Sequence, residues 1–309
     1  MTRNEVPSIR SLRVSVIIPT LNEAAYLPNL LEALAAQTYP ATEVIVADAG
    51  STDGTPELAR RYGALVVQGG TPAVGRNAGA RVASGDLFLF LDADVVPFPD
   101  FIERAVMEFL NKQCDVATVR MVPWDGNLVE RVVHDAANLC LILMQSIFPH
   151  APGFCILIKR ELHKKIGGFD ERLLMGEDTD YVQRAARFGR FAVLTSTCIP
   201  VSMRRIRKEG MLRLGAKYLW CETQILMGKP ICRIPFKYEF GAFPPPTRTS
   251  HPAQQRIKKE LLQLRFSNTL RGSWVALEGL QLGKARLPQL PPTIRRIAWK
   301  SAAWLKRVW

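Results

Sequence analysis

Leu87-Phe88-Leu89-Phe90-Leu91-Asp92-Ala93-Asp94 is the stretch that decides the fold. Its first five residues form an unbroken apolar run, as in a strand buried on both faces. Two carboxylates follow, one residue apart, and then Val95-Val96-Pro97. At the C-terminal edge of a parallel sheet such acids face the crevice where α/β folds bind ligands. Two acids on one short turn repel each other, and a hard divalent cation with oxygen ligands relieves that repulsion. Acids also follow strands merely to be solvated, so the pattern takes its meaning from its neighbours.

Working outward, the apolar rhythm repeats. Val14 to Ile18 reads as a buried strand ended by Pro19 and Thr20, and residues 24–37 carry leucines at 27, 30, 31 and 34, a helical spacing. Strands at 43–47 and 64–67 flank a turn, Asp48 to Gly54, and a helix opened by Thr55-Pro56-Glu57. A small-residue helix over 75–83 precedes the Leu87 strand. Strand and helix in alternation predict a parallel, doubly wound sheet with every strand C-terminus on one side. Further on, the pattern predicts a strand at 115–121, a long helix with an apolar face at 127–148, a strand at 153–159, a helix at 181–188 and a last strand at 191–194. Residues 1–228 read as the α/β domain. Residues 229–309 read as a basic, proline-containing, partly helical extension.

The chain has 309 residues, with 41 Lys and Arg against 28 Asp and Glu, a formal charge of +13. That excess suits a polyanion, an anionic membrane surface or a phosphate-bearing substrate. Cysteines 114, 140, 155, 198, 221 and 232 form no C-x-x-C pair. This argues against a zinc site and a disulfide framework, and predicts buried thiols in a reducing compartment. The four histidines show no ligand spacing. The first residues lack the apolar core of a signal peptide, and the most apolar internal run, 139–148, is too short to span a bilayer. The expected location is cytoplasmic, with peripheral contact at the cytoplasmic membrane face.

Several strand-end segments converge on one crevice: VIIPTLNE, VADAGSTDGT, GRNAGA, LDAD, GGFDE and GEDTDY, in that order over residues 14–195. Their types and spacing resemble the inverting family 2 glycosyltransferases of GT-A fold, with some similarity to polyprenyl-phosphate hexose synthases. The resemblance implies a mostly parallel doubly wound sheet flanked by helices. It also implies transfer of a hexose from a GDP- or UDP-linked donor to a glycan or lipid-linked acceptor.

By that resemblance Pro19, Thr20 and Glu23 line the nucleoside, and Asp48 accepts from a base N–H. Glu23 could instead cap the next helix, and Asp48 could bond its own turn. Where many relatives carry a second acid, this chain has Ala49. Arg76, expected at a helix N-terminus, suits phosphate or nucleoside; its other reading is a salt bridge. Asp92 faces the ribose with Ala93 beside it, and Asp94 with Asp92 ligates Mn²⁺ or Mg²⁺. Asp178, preceded by Glu177, matches the family's base; a capping role is its alternative, and Asp180 is expected to cap the helix at Tyr181. Arg204 and Arg205 begin a basic loop that would close over the diphosphate. Arg120, with Arg131 near it, is similar to the phosphate-meeting arginine of the polyprenyl-phosphate synthases. His150 could meet acceptor or be structural. The Q-x-x-R-W motif of processive synthases is absent, which favours single transfers.

Residues 295–309, RRIAWKSAAWLKRVW, interleave tryptophan and aliphatic residues with Arg and Lys. As a helix this reads either as interfacial on anionic lipid or as docked on the protein itself. Two other classes compete. A sugar-1-phosphate nucleotidyltransferase would carry a glycine-rich loop after the first strand, where this chain has PTLNE. A non-catalytic basic protein binding nucleic acid would explain the charge, but not the acids gathered at strand ends.

Overall fold

The computed structural model describes residues 12–124, 126–236, 238 and 241. The proline-rich stretches at 244–246 and 287–292 and the helix expected over 295–309 lie outside them. In chain order the elements are β1 (Val14–Thr20), α1 (Leu27–Ala35), β2 (Glu43–Asp48), α2 (Thr55–Arg61), β3 (Leu65–Gln68), α3 (Pro72–Val82) and β4 (Leu87–Leu91). There follow α4 (Phe101–Asn111), β5 (Val116–Pro123), α5 (Leu128–Met144), β6 (Cys155–Lys159), α6 (Arg160–Lys165), α7 (Glu177–Ala186), β7 (Phe191–Val201), α8 (Arg204–Glu209) and α9 (Met211–Leu226).

Seven strands form one sheet in the order β3-β2-β1-β4-β6-β5-β7. It is mostly parallel and flanked by helices, the architecture expected. One expectation fails: β6 runs antiparallel to both β4 and β5. Its first residue, Cys155, pairs with Leu91 at the end of β4. Not every strand therefore ends on the same side, and the residues that precede β6 reach the rim where β1, β2 and β4 finish.

The period of two in each strand sorts the core. Val14, Val16, Ile18, Leu87, Leu89 and Leu91 pack with the leucines of α1 and with Phe101, Ile102, Val106 and Phe109 of α4. Ile17, Ile45, Phe88, Phe90, Ile156 and Ile158 face the other way, toward Phe169 and Tyr181. Each large side chain so buried contributes roughly 1.5–3 kcal/mol. On this second face α3 rests directly on the sheet: a Cβ at Gly79 would lie 2.4 Å from Cγ2 of Ile17. The small residues of GRNAGA are thus a packing requirement as much as a motif.

Other boundaries differ from expectation for identifiable reasons. β7 does not stop at 194. The polar triplet Thr195-Ser196-Thr197 forms a register shift against Val119 and Arg120, and pairing resumes at Cys198. The Glu108 carboxylate of α4 accepts the Thr195 and Ser196 amides of that bulge. Helix α7 begins at Glu177 rather than 181, so Asp180 is not its cap; its carboxylate pairs with Arg184 at 2.7 Å. The basic segment after β7 is a short helix, α8, not an open loop. Of the six free cysteines, Cys140 and Cys232 are exposed, contrary to expectation.

Helix α5 overturns a further expectation. Its buried stripe is not the apolar one but Glu130, His134 and Asn138, with Leu141 and Ile142. The polar groups are used there. Asn127 and Glu130 make a reciprocal capping box. Asn138 accepts the Met121 amide and donates to the Met121 carbonyl, at 3.0 and 2.7 Å. These bonds serve a part of β5 beyond its pairing with β6, which ends at Ala117.

Candidate active site

The ends of β1 and β4 and the starts of β6, α7 and α8 surround a cavity of about 820 Å³. Pro19, Thr20 and Glu23 line it, as expected from the sequence. Asp48 does not. Its carboxylate accepts the Thr20 hydroxyl at 3.0 Å, the Gly50 and Ser51 amides at 3.0 and 2.8 Å, and the Ser51 hydroxyl at 2.5 Å. This is the turn-building reading of Asp48; Ala49 is the residue of that turn that faces the cavity.

Asp92, Ala93 and Asp94 all line the cavity. The turn that carries them is fastened to the end of β7: Val96 donates to the Pro200 carbonyl at 3.1 Å and Ser202 to the Asp94 carbonyl at 3.1 Å. Two residues beyond Ser202 the chain delivers Arg204. Its Nε lies 2.8 Å from Oδ2 of Asp94, and its Nη groups donate to both oxygens of Glu23 at 2.6 and 2.7 Å. The Tyr26 ring lies under the guanidinium, 4.4 Å from centroid to Cζ. Burial raises the Glu23 and Asp94 carboxyls above the ordinary range, and Arg204 opposes that in both. Glu23 is therefore not a helix cap here; it is half of a buried ion pair. Arg205, also on the cavity wall, stacks over Tyr238 at 4.4 Å.

Arg76 sits in the second turn of α3, which starts at Pro72, so it is not at the free amides of a helix N-terminus. It is 2 % exposed. Its Nη1 donates to Glu177 at 2.8 Å, and its Nη2 donates to Asp92 at 2.9 Å and to the Gly153 carbonyl at 3.2 Å. Burial works against its charge, but Asp92 and Glu177 outweigh that and leave its pKa raised. The salt-bridge reading of Arg76 is the one observed.

Glu177 and Asp178 open α7 after Gly176, whose positive φ turns the chain sharply at the helix start. Burial pushes the Glu177 carboxyl up to about 7, helped by Asp178 and opposed by Arg76. Burial likewise raises Asp178, and Arg76 again opposes it. Asp178 makes no capping bond beyond its neighbour, the Thr179 amide at 2.8 Å. His150, also on the wall, has Nδ1 3.0 Å from the Thr179 hydroxyl. Arg120 is not brought to the cavity; its guanidinium donates to the Thr195 carbonyl at 2.8 Å. Arg131 is exposed on α5 and donates to the Gly126 carbonyl.

Sequence reasoning missed Gly153. A Cβ there would lie 2.6 Å from Nη2 of Arg76 and 3.2 Å from Oδ2 of Asp178. Pro152-Gly153 before an apolar run is the available signal, and by pattern alone it reads as a strand start. It also missed the apolar wall. Met121, Val133 and Ala137 stand on the β5–α5 side, and Met211, Leu214 and Tyr218 come from α9.

Asp92 and Asp94 offer hard oxygen donors on one turn, which fits Mn²⁺ or Mg²⁺ only if other oxygens complete the shell. No group of three or more His, Cys, Asp or Glu among the described residues could hold an ion alone.

A cavity of about 820 Å³ at the carboxyl edge of an α/β sheet, walled by paired acids and arginines, has the size, place and lining of a ligand pocket. Residues 15–167 match glycosyl transferase family 2, so this part of the chain is a domain of that family. It is 31% identical over 191 residues to glycosyltransferase AglE of Haloferax volcanii, covering 57% of this chain and 62% of that protein. The crystal structure of S. aureus TarS 1-349 in complex with UDP-GlcNAc is similar with a TM-score of 0.53 at 26% identity, covering 62% of this chain and 58% of that one. Mannosyltransferase PcManGT from Pyrobaculum calidifontis, in complex with GDP-Man and Mn²⁺, shares the fold with a TM-score of 0.54 at 22% identity, over 97% of this chain and 88% of that one. The chain spans about three-fifths of the length of the curated relative AglE.

Proposed function

We propose that this chain transfers a hexose from a nucleoside diphosphate sugar, GDP- or UDP-linked, to a hydroxyl or phosphate acceptor by single displacement with inversion. The observation that carries the reading is the gathering of Asp92, Asp94, Asp178, Arg204 and Arg205 around one cavity of about 820 Å³. Asp178 takes the acceptor proton as the acceptor oxygen attacks the anomeric carbon, and the bonding pair to the diphosphate leaves with the nucleotide. Burial raises the Asp178 carboxyl above the ordinary range, which makes its carboxylate a stronger base than an exposed one. Pro19, Thr20 and Ala49 form the nucleoside side of the cavity. Asp92 and Asp94 would hold Mn²⁺ or Mg²⁺, which supplies Lewis-acid stabilisation of the departing diphosphate. Arg204 and Arg205 then face the phosphates. The acceptor is a glycan or a lipid-linked species, the latter supported by the apolar residues that line the same cavity.

This reading carries with it a cytoplasmic protein in peripheral contact with the membrane through residues 295–309, supported by the Trp and Arg/Lys alternation there. Among the described residues no helix is long and apolar enough to cross a membrane. Thermal unfolding with UDP, GDP and their hexose conjugates, with and without Mn²⁺, tests the donor. A ligand that binds only the native state raises the melting temperature. One nucleotide should do so in a metal-dependent way, and Asp94→Ala should abolish the shift. No shift with any nucleotide overturns the reading.

A further inference from the structure

Helix α5 is amphipathic in the inverted sense. Its polar residues Glu130, His134 and Asn138 are buried, while Leu128, Val129, Val132, Leu139 and Leu143 are exposed, Leu128 by 77%. Ile147, just past its end, is 79% exposed. Helix α9 presents a similar surface: Leu212 is 90% exposed, and Leu219, Leu226 and Met227 are each more than half exposed. Together these two segments hold most of the exposed large apolar side chains among the described residues. Isolated exposed leucines need no explanation, but rows of them on two helices do.

Two observations say what covers this surface. The first is continuity with the cavity. Val133 and Ala137 of α5 and Leu214 and Tyr218 of α9 line its wall, so the exposed apolar rows run up to its mouth from both helices. The second is charge. Between Arg204 and Arg233 the chain carries Arg204, Arg205, Arg207, Lys208, Arg213, Lys217, Lys229 and Arg233 against only Glu209 and Glu222. Arg207, Lys208 and Arg213 are exposed beside the apolar residues of α9. Glu209 is already engaged by Lys217. On α5 one acid, Asp135, stands among the exposed residues with Arg131. Apolar side chains flanked by cations are the signature of a surface that lies in the headgroup layer of an anionic bilayer. A partner protein surface would not need the cationic excess.

We propose that the exposed faces of α5 and α9 dock the protein on an anionic lipid bilayer, holding the mouth of the cavity at the headgroup level. The inference rests on α5 and α9 alone and does not depend on which group the cavity transfers.

The full chain is mixed with vesicles of phosphatidylcholine alone or with phosphatidylglycerol, floated on a density gradient, and compared with Leu128→Glu/Val132→Glu and with the uncharged Leu128→Ser/Val132→Ser. Neither position touches the cavity. The wild type should float with the anionic vesicles, less so at high salt, and both variants should partition about tenfold more weakly. Far-UV circular dichroism and melting temperature should be unchanged, which excludes misfolding as the cause. Variants that float like the wild type overturn the proposal and leave the membrane contact to other residues. A wild type that ignores anionic vesicles at low salt overturns it as well. So does a wild-type dimer that both variants convert to monomer without any vesicle binding, because a second copy would then be the occupant.

Discussion

The Nε of Arg204 lies 2.8 Å from Oδ2 of Asp94, so the acid best placed for a divalent cation is already neutralised by an internal one. A metal and this guanidinium compete for the same charge. Arg204→Met should therefore let Mn²⁺ bind the nucleotide-free protein about tenfold more tightly, a gain of ~1.4 kcal/mol. Isothermal titration in the absence of nucleotide measures this. The same variant leaves the buried Glu23 without its partner and should lose roughly 3 kcal/mol of stability. Unchanged metal affinity would show that Asp94 is not a ligand.

Gly153 has no room for a side chain between Arg76 and Asp178. Gly153→Ala should displace one or both by several tenths of an ångström or more. Misplacing a reacting group on that scale lowers turnover by about 10²-fold. Overpacking should cost about 1–3 kcal/mol in stability. Turnover at saturating donor, set beside the melting temperature, checks both. A fully active Gly153→Ala would remove Asp178 from the reaction.

Asp178 and Asp180 can be told apart by substitution. Asp178→Asn keeps the shape and removes the base, and turnover should fall by about 10²–10⁴ while donor affinity changes little. Asp180 is committed to Arg184, so Asp180→Asn should change turnover only a few-fold. The reverse pattern would exchange their roles.

Away from the site, His163 gives the fold a predictable acid sensitivity. It is buried against Phe88, Phe90 and Tyr181, with Nδ1 2.7 Å from the Tyr181 hydroxyl. Burial, and then Arg184, lower its pKa from 6.5 to about 4. Between those values the unfolded chain binds more protons than the folded one, so stability rises with pH. Stability is then lost as pH falls from 6.5 towards 4, by at most about 3 kcal/mol. Urea unfolding across this range should show the slope in the wild type and a flatter one in His163→Gln. Equal slopes would mean that other groups govern it.

The N-terminal half of the fold was legible because its elements are simple in period. LFLFL has one reading as a buried strand, and the order PTLNE, DAGSTDG, LDAD follows from strand ends on a parallel edge. The direction of β6 was not legible, since CILIK reads the same either way and direction is set by connection geometry. Helix α5 was misread because an apolar stripe is assumed to face inward. Here the backbone of Met121 required Asn138 on the buried side, a need invisible until β5 and α5 are placed together. Helices α4, α6 and α9 went unassigned. In the site, residue types were legible but partners were not. The sequence marks Arg76, Arg204 and Asp48 as polar groups near a ligand, but only the fold reveals that each already holds neighbours from distant segments.

Arg76 is the clearest case, and its three partners bear on assembly as much as on chemistry. They come from the turn after β4, from the residues that lead into β6 and from α7, 16, 77 and 101 residues away in the chain. A guanidinium this deeply enclosed is tolerable only when all three segments have docked. A slip of β6 by one residue, or a parallel β6, would take the Gly153 carbonyl away from Nη2 and leave that buried donor short of a partner. The same side chain therefore acts as an internal proofreader: a chain that has folded around it in the wrong register has no low-energy place to stop.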